Sequence, residues 1–147
     1  MISSISDSAY QKRAQAKKII RNAAIASSTA AGATAQVAAF GADTALTLPI
    51  IIDMIIKLEN LFELERDIAA ELRVAMIFLE SGAVTSKSVL GFVPILGNFV
   101  NAAITYSLTE TIGWVVYEIF NLGGDLSAIS EEQIQAAAKR VKRTSNK

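Results

Sequence analysis

Neither cysteine nor histidine occurs in this chain. Those two absences together exclude disulfides, thiol nucleophiles, Cys/His zinc sites and imidazole acid–base chemistry. The lack of cysteine also fits a reducing compartment, so a cytoplasmic location is expected. Proline is scarce, with two residues against eight glycines, and aromatic residues make up only 7%. That leaves little material for the many turns of a β-sandwich. What fills the sequence is Ala, Ile, Leu and Val: 52% of residues are hydrophobic and the mean hydropathy is +0.38. A length of 147 residues suits one domain with a substantial core. The expectation is an all-α fold, a compact helical bundle with apolar helical hairpins, occupying 1–147 as a single domain.

The formal net charge of zero conceals a pattern. Residues 1–21 hold five basic groups (Lys12, Arg13, Lys17, Lys18, Arg21) against Asp7, a net +4. Residues 139–147 hold five basic groups and no acidic one, a net +5, while 22–138 hold four basic and thirteen acidic groups, a net −9. Basic ends therefore flank an acidic, apolar body. Lys139, Arg140, Lys142 and Arg143 are candidates for lipid or partner contact, since anionic headgroups attract such clusters. The plainer alternative is a solvated helix end. Nucleic acid is disfavoured, because the body repels phosphate and no aromatics interleave with the basic run.

Asp7 or Ser8 offers an N-cap for a first helix to about Ser28, with residues 1–6 frayed. Ala23–Ala42 is a run of small residues that reads as a closely packed helix or hairpin, with Gly32 its weak point. The basic stretch before it imitates a signal peptide, but it begins late and the run is rich in Ser, Thr and Gly instead of Leu, which argues against cleavage. Gly41-Ala42-Asp43 breaks the run. Asp43 or Thr44 then offers an N-cap for a helix over Leu46–Leu64, with Pro49 tolerated in its first turns. Met54, Leu58, Leu61, Leu64 or Ile68, and Leu72 recur at helical spacing, and the charged block Glu59–Arg73 falls on the other side.

Ser81-Gly82 stops that pattern. Pro94 and Gly97 turn the chain into a long apolar helix, about Asn98–Leu122. Asn98 and Asn101 near its start can satisfy free backbone groups or each other. Gly113 beside Trp114 invites a close helix approach while the indole fills space. Gly123-Gly124 provides a left-handed cap, and Ser130-Glu131-Glu132-Gln133 is a capping box for a last helix. The long helix is expected to be the most buried element, beside 23–40 and 50–64.

Residues 22–42 and 88–109 carry no formal charge and are long enough to span a bilayer. Their quality is marginal. The first is mostly Ala, Ser, Thr and Gly, and the second carries Pro94, Asn98 and Asn101. A water-soluble bundle and a membrane-associated form, at the inner membrane, both stay open.

Motifs for chemistry are weak. Gly82-Ala83-Val84-Thr85-Ser86-Lys87-Ser88 imitates a phosphate-binding loop, but it lacks the second glycine and is one residue short. Asp43 with Asp53, or Glu110 with Glu118, could pair, yet their spacing does not demand a shared cleft. Glu110, acidic within an apolar helix, is the best single candidate for a buried functional charge. No catalytic residue, metal or cofactor is expected.

Two stretches carry a family resemblance. The first is Gly41-Ala42-Asp43 with Leu48-Pro49-Ile50-Ile51 and Met54-Ile55. The second runs Phe92-Val93-Pro94-Ile95-Leu96-Gly97-Asn98-Phe99-Val100-Asn101-Ala102-Ala103 and closes with Ser107-Leu108-Thr109-Glu110-Thr111-Ile112-Gly113-Trp114. Together they resemble the helical domain of unknown function attached to many bacterial GTPases, usually C-terminal to the G domain. The likeness spans about 25–120. It implies a GTPase-associated, frequently membrane-associated module without assigned catalytic residues. No G domain accompanies it in this sequence, so the GTPase would be encoded separately. Phe62-Glu63 stands where relatives often carry an aromatic–glycine pair, which leaves the bend of those relatives unsupported here.

Three functions compete: a module coupling such a GTPase to a membrane or another protein; a self-contained membrane-active protein, pore-forming or immunity-like; and a structural homo-oligomer burying its excess apolar surface between copies.

Overall fold

The computed structural model describes residues 2–34, 42–76, 97–127, 129–130, 132–134 and 136. Helix α1 spans Ile2–Thr34, α2 spans Ala42–Leu61, α3 covers 68–76 and α4 spans Gly97–Asn121. Every regular element among the described residues is helical, so the all-α expectation holds.

The packing is organised around α1, which lies against both α4 and α2, while α2 and α4 meet over a shorter stretch. The buried stripe of α1 is Ala16, Ile20, Ala23, Ala24 and Ser27, a 3.6-residue periodicity dominated by small side chains. It meets Ile51, Met54, Ile55 and Leu58 of α2 and Ile112, Val115, Val116, Tyr117 and Phe120 of α4. All three helices converge at Gly113. A Cβ there would lie 2.6 Å from Ile20 Cγ1, 2.9 Å from Ile20 Cγ2 and 3.0 Å from Met54 Sδ. The missing side chain is therefore what lets α1 and α2 close on α4.

Helices α2 and α4 end by the same device. After α4, Gly123 N–H donates to Phe120 O and Gly124 N–H to Ile119 O, both at 3.0 Å, with Gly123 at φ 85°. After α2, Glu63 N–H donates to Asn60 O at 3.1 Å and Leu64 N–H to Glu59 O at 2.9 Å, with Glu63 at φ 57°. Both are Schellman caps that satisfy carbonyls left over at the helix end. The bend is thus present at Phe62-Glu63 although no glycine supports it, because the hydrogen bonds and the burial that follows hold Glu63 left-handed.

That bend ends α2 at Leu61, close to the expected end at Leu64, and breaks the apolar spacing expected to continue to Leu72. The chain leaves helix at Phe62 and re-enters at 68, where Asp67 Oδ1 accepts from Ala70 N–H at 3.1 Å as the N-cap of α3. The rotation between the two helices puts Ile68 and Leu72 in solvent and takes Glu71 inside, where it meets Glu59 of α2.

Two helix starts also differ from expectation. Helix α1 begins at Ile2, ahead of Asp7, and continues through Gly32. Because α2 begins at Ala42, Asp43 lies within its first turn instead of preceding the helix as its cap. Pro49 is then beyond the first turn, on the exposed face, so the carbonyl four residues earlier loses its helical donor.

Beyond α4 the chain folds back on the core. Leu126, Ile129 and Ile134 are buried, and Arg73 Nη2 ties α3 to this segment by donating to Leu126 O at 2.9 Å. The capping box is formed in both directions: Gln133 N–H donates to Ser130 Oγ at 3.2 Å and Ser130 N–H to Gln133 Oε1 at 2.9 Å. Among the described residues no helix is long and apolar enough to cross a membrane.

Candidate functional site

The bend after α2 leaves a cleft of about 470 Å³ between the end of α2, the 64–68 segment and the 125–127 turn. Leu64, Ile68, Phe120 and Leu126 give it apolar walls; Glu59, Glu65, Arg66, Asp67 and Asp125 give it charge. Glu59 is carried inward by helical spacing, since it continues the buried series Ile51, Ile55 at steps of four.

Glu59 and Glu71 are both buried, 3% and 0% exposed, and their carboxyls hydrogen-bond one another. Two carboxylates cannot share such a place without a proton. Burial is the main cause that pushes Glu59 up to about 8, followed by the hydrogen bond to Glu71 and its charge; Asp67 adds to the effect and Arg66 opposes it. Arg66 clamps the other carboxyl, with Nε to Glu71 Oε1 and Nη2 to Glu71 Oε2 at 3.3 Å each. That hydrogen bond, with the charge of Glu71 behind it, holds Arg66 above its ordinary range. The cluster ties α3 to the end of α2. One atom is left over: Glu59 Oε2 is buried without a hydrogen-bond partner.

A second feature is the outer face of α1. Tyr10, Lys17, Lys18, Arg21 and Ile25 are all exposed. Their spacing spreads them along one exposed flank of α1, with Lys18 and Ile25 farthest from the Ala16–Ile20–Ala24 stripe and Lys17 at its edge. Lys12 and Arg13 behave differently. Lys12 Nζ sits 4.8 Å from the centroid of Phe62, and the Arg13 guanidinium 5.0 Å from Trp114 and 6.0 Å from Tyr117. The rings form one cluster, with Phe62–Tyr117 and Trp114–Tyr117 edge to face at 5.4 Å and Phe62–Phe120 at 5.7 Å. These two cations fasten α1 to the bundle.

The residues singled out from the sequence do not converge on one site. Gly113 is buried at the three-helix contact, and Trp114 beside it is half-buried under Arg13. Glu110 is exposed, which corrects its reading as a buried charge: α4 turns that position away from α1 and α2. Asp53 is exposed and paired with Lys57 at 2.7 Å. Gly97 opens α4 and Asn101 lies one turn on, both placed by backbone alone. Pro94, Lys139, Arg140, Lys142 and Arg143 lie outside the described residues. Sequence reading missed Glu59, Arg66 and Glu71 because it placed the whole charged block on a solvent face. The available signal was Glu59 standing four residues after Ile55.

Among the described residues no group of three or more acidic side chains is arranged to hold a metal ion. Comparison with protein-family models, curated proteins and solved structures finds no match to this chain.

Proposed function

We propose that this chain is a non-catalytic helical module that works at an anionic membrane surface, in company with a separately encoded GTPase. The observation that carries the membrane reading is the outer face of α1, where Lys17, Lys18 and Arg21 stand in solvent between Tyr10 and Ile25. A basic face with interleaved apolar and aromatic groups suits the headgroup boundary, where cations meet anionic lipid and the apolar groups enter the upper acyl layer. Surface binding also agrees with described helices that are too short or too polar to span. The basic residues Lys139, Arg140, Lys142 and Arg143 add to the same attraction. GTPase association rests on the residues of 41–55 and 92–114 that resemble GTPase-attached helical domains.

Flotation of the full chain with vesicles tests the reading. Vesicles containing phosphatidylglycerol should carry the protein upward, and neutral phosphatidylcholine vesicles should not. Equal flotation with both, or none with either, would overturn it.

A further inference from the structure

The cleft below the α2 bend has a use independent of the membrane reading. We propose that it binds a small organic cation, whose ammonium group meets the Glu59 carboxyl and the Glu65–Asp67 wall while its apolar part lies on Leu64, Ile68 and Phe120.

Three observations support this. A volume of about 470 Å³ falls in the range of small-molecule sites, and Leu64, Ile68, Phe120 and Leu126 stand there beside a lining that is otherwise mostly charged, which suits a ligand with a charged head and an apolar part. The charge balance is acidic: Arg66 is engaged by both oxygens of Glu71, and no described cation forms an ion pair with Glu65 or Asp67. Finally, Glu59 lines the cleft with Oε2 buried and unpartnered. Such an atom costs about 1–3 kcal/mol until something donates to it. A cationic donor would supply that bond.

The cation binds in exchange for a proton. Charged groups around Glu59 are Glu71 on α3, with Arg66, Asp67 and Glu65 on the connecting segment and Asp125 after α4; α1 places Lys12 nearby, at Phe62. With Glu59 pushed up to about 8, the carboxyl holds its proton at neutral pH, and an incoming ammonium group favours the ionised form. Affinity for the cation should therefore rise with pH up to about 8 and then level.

Phenethylammonium is a suitable probe, with 2-phenylethanol as its neutral counterpart, followed by amide NMR and calorimetry on the full chain. The expected result is saturable shifts at Leu64, Ile68 and Leu126, with the ammonium bound about tenfold more tightly than the alcohol. Glu59→Gln, which keeps the shape of the protonated side chain, should remove the pH dependence and most of that preference. Glu65→Lys, at an exposed wall position, gives an independent reading if the buried variant fails to fold, and it too should abolish the preference. Equal binding of ammonium and alcohol, absence of saturation, or an unchanged preference in Glu65→Lys would each overturn the proposal.

Discussion

Ile20 on α1 and Gly113 on α4 approach so closely that a methyl group at 113 would lie 2.6 Å from Ile20 Cγ1. Neither chain can retreat cheaply, because Ile20 is fully buried between α2 and α4. Gly113→Leu should overpack this junction and lower stability by about 1–3 kcal/mol. Gly113→Ala should also destabilise, though by less, because alanine regains about 1 kcal/mol of helix propensity. Adding Ile20→Val should recover part of the loss, a coupling that a double-mutant cycle in denaturant melts would read. Additive losses would mean the two residues do not touch in solution.

The two Schellman caps predict opposite outcomes for opposite substitutions. Glu63 adopts φ 57° without the freedom of glycine, so Glu63→Gly should raise stability by about 0.5–1 kcal/mol. Gly123 adopts φ 85° with nothing within 4 Å of an added Cβ, so Gly123→Ala meets strain alone and should lower stability by about 1 kcal/mol. The denaturant midpoint checks both. A destabilised Glu63→Gly would show that the carboxylate earns its place through an interaction beyond the backbone cap.

The buried acid pair makes stability depend on pH. Glu59 has a folded value of about 8 against an ordinary 4.5, so folding favours its protonated form. The sign follows from linkage: the contribution is fully present below about pH 4.5 and is lost progressively as pH rises through 8. Thermal melts between these limits should fall with rising pH, and Glu59→Gln should flatten that decline. A wild-type profile that rises over the same interval would contradict the protonated pair.

Much of the fold was legible because its signals are local. Ser130 and Gln133 form the capping box their spacing announces, and Gly123 ends α4 where two glycines mark a stop. The burial of Gly113 was legible as well, as a small residue in an apolar helix. The cleft was not, for two reasons. Its bend is made by Glu63, a residue that seldom adopts a left-handed conformation, so the pattern from Met54 to Leu72 read as unbroken. Once the helix is read through, every position after Leu61 is rotated: Ile68 and Leu72 fall into the core on paper and Glu71 into solvent, the reverse of what the tertiary structure does. Glu110 misled in the other direction, since an apolar sequence around an acid does not say which way the helix faces.

The basic residues of α1 divide into two kinds, and this division gives the most direct test of a membrane-surface role. Lys12 and Arg13 lie over the rings of Phe62, Trp114 and Tyr117, whereas Lys17, Lys18 and Arg21 face solvent. Near an anionic surface each exposed cation contributes about 1 kcal/mol, so the triple change of Lys17, Lys18 and Arg21 to Gln should weaken binding to phosphatidylglycerol vesicles by roughly 100-fold. The melting temperature should stay near that of the parent, since no described contact is lost. Partition coefficients measured by flotation across a lipid titration decide the matter: a loss of that order is the predicted result, and a triple variant that partitions like the parent would contradict the account.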